Sequence, residues 1–213
     1  MNLGMVTSYI IAGMLLLGIM AMNINVQTST TELTVSQILR SHINTVTEIL
    51  NDDIPNMGYD FEGTTKQNDD VGNKILEFGN EKRISFYRNL TGDPSRIPER
   101  IEWEFVDSTG VNFGTLIRRV YDPNDGTTDV NEINIGVHKF EIRYYDSVGE
   151  ILSNNMSTPG SNVTQLNDVE QIHIIMELQS KEKIYKRATG DGRYMRSVWE
   201  KRFTPSNLHV ENI

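Results

Sequence analysis

The spacing of apolar positions changes twice along this chain, and each change marks an element. From Gly4 to Met22 (GMVTSYIIAGMLLLGIMAM) almost every side chain is apolar, a run of about the length that crosses a bilayer core. Beyond it, Val35, Leu39, Ile43, Val46, Leu50 and Ile54 recur at the spacing of one helix face, and Ile38 and Ile49 widen that stripe. Together the two segments predict one helix from Met5 to Ile54, about 75 Å long at 1.5 Å per residue. Pro55 and Gly58 stop it. Frequent Thr and Ser between residues 28 and 47 lower helix propensity and predict a loosening around Asn23 to Thr31.

The period then falls to two. Ile84 and Phe86 alternate with polar neighbours, as do Ile101, Trp103 and Phe105, and Leu116 to Val120 forms a third run. Phe140, Ile142 and Tyr144 alternate with Glu141, Arg143 and Tyr145; Ile172, Ile174, Met176 and Leu178 continue the pattern, and Val198 to Phe203 closes it. Each such strand has one apolar face, so the expected assembly is an antiparallel sheet packed on the helix stripe, wet on its other side. The fold class is therefore α+β. The chain divides into a transmembrane helix at 1–22, with a possible leader at 1–4, an amphipathic continuation at 23–57, a connecting loop at 58–82 and a sheet domain at 83–213. Within the connection, which is rich in Asp, Asn and Gly, a short helix is expected near Ile75 to Phe78.

Charge sharpens this division. The 213 residues carry a net charge of −9, yet no charged side chain precedes Glu32. Residues 32–80 hold three basic against nine acidic side chains, and residues 81–213 hold 17 against 20. Acidic pairs such as Asp52-Asp53 and Asp69-Asp70 read as a solvated face. The balance argues against a nucleic-acid binder, which needs a basic footprint. One local exception lies at 181–202, where Lys181, Lys183, Lys186, Arg187, Arg193, Arg196, Lys201 and Arg202 are interleaved with Tyr185, Tyr194 and Trp199. It reads as a hairpin turning at Thr189 to Gly192, basic outside and aromatic inside, able to meet the acidic helix region of a neighbouring subunit.

Candidate chemistry is sparse. Absence of cysteine excludes disulfides and thiolate sites. His42, His138, His173 and His209 are scattered without paired spacing, and there is no GxxxxGK loop and no GxSxG elbow. Asp122, Asn124, Asp125 and Asp129 offer oxygens to Ca²⁺ in a short loop that fails the EF-hand pattern; a turn whose Asp and Asn satisfy its own backbone is the competing reading. Gly13 and Gly18 miss the four-residue spacing of a GxxxG helix contact. With no basic residue before Arg40, charge sets no membrane orientation and the start lacks the basic flank of a signal peptide.

Several strings then point to a family. They are Ile49 to Tyr59 (ILNDDIPNMGY), Arg100 to Phe105 with Thr115 to Arg119, Val137 to Gly149 (VHKFEIRYYDSVG), Val169 to Ile174, and Phe203 to Leu208. In this order, behind a membrane helix with an amphipathic continuation, the chain resembles the type IV pilin and type II secretion pseudopilin superfamily. It is most similar to the J-type minor pseudopilins and large minor pilins. The resemblance implies a pilin-like fold and a non-enzymatic structural subunit of a pilus or secretion filament. Its partners would be other pilin or pseudopilin subunits, with the bilayer contacted through residues 4–22. It places the chain as a single-pass protein of the bacterial inner membrane, its C-terminal domain in the periplasm or on an extracellular filament. It also implies prepilin-peptidase cleavage between Gly4 and Met5, although the preceding residues include no basic one and Tyr9 stands where the family carries a Glu. A membrane-anchored binding module that joins no filament is the alternative, and an envelope hydrolase using the Asp122 to Glu132 loop is a third.

Overall fold

The computed structural model describes residues 3–59, 75–93, 95–108, 113–157, 163–185 and 192–208. Helix α1 runs unbroken over Leu3–Asp53, 51 residues. No loosening occurs at Asn23 to Thr31. Instead, the hydroxyls of Thr28, Thr30, Thr31 and Thr34 donate back to the carbonyls of Ile24, Val26, Gln27 and Thr30 at 2.8–2.9 Å. These bonds satisfy the side chains without displacing the ladder. The helix ends at Asp53, one residue before the expected Ile54. Pro55 has no amide hydrogen to continue the ladder, and Gly58 adopts a left-handed φ of 74°. Only glycine fits there, since a Cβ would lie 2.7 Å from the carbonyl oxygen of Asn207. The Gly58 amide then donates to the Tyr87 carbonyl at 2.8 Å, tying the helix exit to the sheet.

The strands are β1 (Leu76–Asn80), β2 (Arg83–Arg88), β3 (Glu99–Val106), β4 (Gly114–Asp122), β5 (Thr127–Tyr145), β6 (Asn155–Ser157), β7 (Gln171–Tyr185) and β8 (Arg193–Phe203), with a five-residue helix α2 (Val163–Asn167) between β6 and β7. All pair antiparallel in one sheet of order β6-β1-β2-β3-β4-β5-β7-β8. The short helix expected near Ile75 to Phe78 is corrected: Leu76–Asn80 is a strand, held in extended form by β2 on one side and β6 on the other. Residues 60–74 of the connection, including Asp69-Asp70, and the turn at Thr189 to Asp191 lie outside the described residues.

Alternation sets the faces. Ile84, Phe86, Ile101, Trp103, Phe105 and Leu116 point to the core with Phe140, Ile142, Tyr144, Ile172, Ile174, Met176 and Leu178. Leu39, Ile43, Val46 and Leu50 of α1, and Ile54 just past its end, are buried among them, whereas Ile38 is exposed. Each buried aliphatic side chain contributes about 1.5–3 kcal/mol relative to exposure, and that burial holds the second half of α1 to the sheet. The opposite face is a lattice of charges paired across strands and along them. Arg119 joins Glu102 and Glu104, Arg83 reaches Glu102, and Lys139 and Arg143 flank Glu141.

The sheet curls on itself. Ile142 of β5 donates its amide to the Glu81 carbonyl at 2.8 Å, and the Tyr144 hydroxyl donates to the Asn80 carbonyl at 3.2 Å. Gly79 permits this approach, because a Cβ would sit 2.9 Å from the Tyr144 ring.

Candidate assembly surface

The two halves of α1 are chemically different surfaces. Its second half presents Leu39 to Leu50 to its own sheet, so that stripe is interior. Its first half meets none of the other described elements: Tyr9, Met14, Leu15, Leu17 and Met22 are each more than 60% exposed. This half contains a window of mean hydropathy 2.0, none of it buried. It is long and apolar enough to cross a membrane. Gly4, Gly13 and Gly18 each have open space where a Cβ would project. At Gly18 the surface dips into a shallow notch lined by Ile11, Met14, Leu15, Ile19 and Met22. Gly4 and Met5 lie within the first turns of α1, where the Thr7 hydroxyl donates to the Gly4 carbonyl at 3.0 Å.

At its far end the helix is clamped by polar groups. α1 has no basic residue in its last turn, so the partial negative charge of its C-terminal carbonyls is met by cations from the sheet. Arg88 of β2 donates to the Asp52 carbonyl at 3.0 Å and to the Asp52 carboxylate at 2.8 Å. Lys201 of β8 donates to Asn51 Oδ1 at 2.6 Å. The centre of the clamp is Asp53, whose side chain is fully buried. It accepts from Trp103 Nε1 at 2.9 Å, Arg118 Nε at 2.7 Å and Arg118 Nη2 at 2.9 Å, with Arg88 Nη1 at 3.3 Å. These bonds raise the pKa of Arg118 further, against the pull of burial, and fix its guanidinium in place. Hydrogen bonding from Arg88 likewise lowers the pKa of Asp52.

Asp53 departs from the solvated-face reading of the Asp52-Asp53 pair. Asp52 is exposed as expected; Asp53 is interior. The signal was in the phase of the pattern. Asp53 falls beside Leu50 and Ile54 on the apolar stripe, and Arg118 occupies the inward position between Leu116 and Val120.

The Asp122 to Asp129 segment is the β4–β5 turn. Asp122 accepts from Arg96 Nη2 at 2.5 Å and from the Asn124 amide at 2.8 Å, and Asp125 accepts from the Thr127 amide and hydroxyl. Asn124 bonds the backbone of Ile97 on both sides, and Asp129 points to solvent in β5. The side chains of Asp122, Asn124 and Asp125 are engaged in these turn contacts, and among the described residues no three His, Asp or Glu side chains converge as metal ligands. In the basic hairpin, Trp199 packs partly on the core, Lys183 lies over the Tyr194 ring at 5.9 Å, and Lys201 lies over Phe203 at 4.9 Å. Lys186, Arg187, His209 and the side chain of Tyr185 lie outside the described residues.

Comparison of the chain with protein-family models and with curated proteins finds no match.

Proposed function

We propose that this protein is a single-pass, membrane-anchored structural subunit of a pilin-like filament, of the type IV pilus or type II secretion kind, whose work is packing and not catalysis. The supporting observation is the division of α1. One half is buried in its own sheet, and the other presents apolar side chains around its whole circumference with no partner among the described residues. Such a surface is stable in lipid or among like helices, and transfer from one to the other costs little because both exclude water. Assembly then moves the exposed half from the bilayer into a bundle, while the sheet domain, held by the Asp53 clamp, sets the contacts outside it. The domain faces the periplasm or the filament exterior, and the membrane is a bacterial inner membrane.

Cross-linking of full-length chain carrying Met14→Cys in membranes tests the reading. The expected result is disulfide-linked species formed through the exposed helix half, in a chain that otherwise has no cysteine. A chain that stays monomeric in the membrane under the same oxidation overturns the filament and leaves an anchored module. Intact mass decides the processing step: loss of Met1 to Gly4 with one added methyl group is the expected outcome of prepilin cleavage, and an unmodified start removes that step.

A further inference from the structure

The curled sheet is split. β5 pairs with β4 through Thr127–Val137 and with β7 through Val137–Tyr145, so the two pairings meet at Val137. From there β5 and β7 diverge. Gly136, at φ 84°, makes the bend, and a Cβ on it would lie 2.5 Å from the Gln179 carbonyl oxygen. Beyond the split each strand has one unpaired edge: β5 over Thr127–Gly136 and β7 over Ser180–Tyr185. A groove of about 420 Å³ opens between them, with α1 as its floor. Val35, Ile38, Leu39, Ile135 and Ile184 give it aliphatic walls.

Two features mark the groove as incomplete. Gln179, only 2% exposed, has no hydrogen-bond partner for Oε1, and His42 has none for Nδ1. Both residues line the groove, and buried polar atoms in native proteins are rarely left unpaired. Unpaired strand edges are likewise templates for another strand.

The chain contains a segment suited to this place. The β4–β5 hairpin is acidic at its free end, and Thr127–Glu132 is exposed on both faces, Val130 by 53%. Asp129 and Glu132 form no ion pair among the described residues. Lys181 and Lys183, exposed on the free edge of β7, form none either. These opposite charges do not meet within one molecule.

We propose that a second copy of this chain docks the free edge of its β5 hairpin against the free edge of β7, with Asp129 meeting Lys181 and Lys183 on one face and Val130, on the other, lying over the aliphatic groove beside Ile184. The inference rests on the filament reading, since it supplies a contact between subunits outside the helix bundle. When each subunit's β5 edge docks on a different neighbour, the contact is heterologous and propagates along an assembly. Backbone amides of the incoming strand supply donors where Gln179 and His42 lack them.

The test uses full-length chain in bilayers. Mixing Thr128→Cys with Glu182→Cys subunits is expected to give a disulfide-linked dimer that neither variant gives alone. Lys181→Glu with Lys183→Glu should lower its yield by about fivefold or more, as for opposed like charges. Adding Asp129→Lys to the other subunit should restore it. All these positions are exposed, and circular dichroism of each variant confirms the fold. A yield insensitive to both charge reversals, or no cross-link while Met14→Cys subunits still join through their helices, overturns this contact and leaves the filament reading standing. Loss of both kinds of cross-link overturns both.

Discussion

Asp53 and Arg118 are a buried ion pair with a third group, the Trp103 indole, completing the carboxylate's hydrogen bonds. Such a pair gains little over a well-packed apolar substitute, yet breaking it leaves a half-buried guanidinium with only the exposed Asp52 carboxylate near it as counter-charge. Asp53→Asn is therefore expected to cost about 3–5 kcal/mol, read as a lowered urea midpoint of the sheet domain. Trp103→Phe, which removes one donor and keeps the charges together, should cost far less. His173 carries a second residue-scale expectation. Burial is the main cause of its lowered pKa, and Arg202 adds to it. The neutral form is favoured in the fold, so the unfolded chain binds the extra proton. Stability is full above the ordinary histidine value near 6.5 and falls as pH drops through it toward the lower folded value. His173→Gln should flatten that part of the stability profile, as denaturant titrations between about pH 5 and 7 would record. Neither residue is legible from local composition. Asp53 looks like half of a surface pair, and only its phase on the stripe sets it apart from Asp52.

At the scale of elements, the division of α1 predicts a contrast within one helix. Leu50→Ala empties a fully buried site and should destabilise the domain by about 2–5 kcal/mol. Leu16→Ala, on the free half, should leave the unfolding midpoint of the domain unchanged and reduce only membrane retention or helix cross-linking. The helix stripe and six of the eight strands were legible because their side chains face one core, and a shared core imposes a period. What was missed lacks that imprint. β1 is five residues with a register shift, β6 is three, and the first half of β5 is wet on both faces, so no alternation marks it. The Thr-rich stretch misled in the other direction, because its hydroxyls turn back onto the helix instead of opening it.

For the whole molecule, the charge of −9 is the sum of an uncharged anchor, an acidic intermediate region and a sheet whose charges largely cancel across strands. The anchor adds nothing to the core, as none of its apolar window is buried. Residues 27–213 expressed alone should consequently fold and remain in solution with a urea midpoint equal to that of the full chain in detergent. A fall of more than about 1 kcal/mol would mean that the anchor supports the domain, contrary to its lack of contacts. Nothing in the sequence located the split between β5 and β7. It arises from pairing between strands about 40 residues apart, and only Gly136 at the bend leaves a local trace.

The clamp at the end of α1 also fixes an order of events during synthesis. Asp53 leaves the ribosome early, but its partners Arg88, Trp103 and Arg118 lie 35, 50 and 65 residues later, and Lys201 follows Asn51 by 150. The apolar stripe of α1 is therefore without its cover until β7 and β8 emerge, long after the whole of the helix has been made. On the membrane-anchored reading proposed above, the nascent chain waits tethered to the bilayer with a sticky helix face open. Truncations that stop before β8 should be the ones that aggregate or are degraded at the membrane surface.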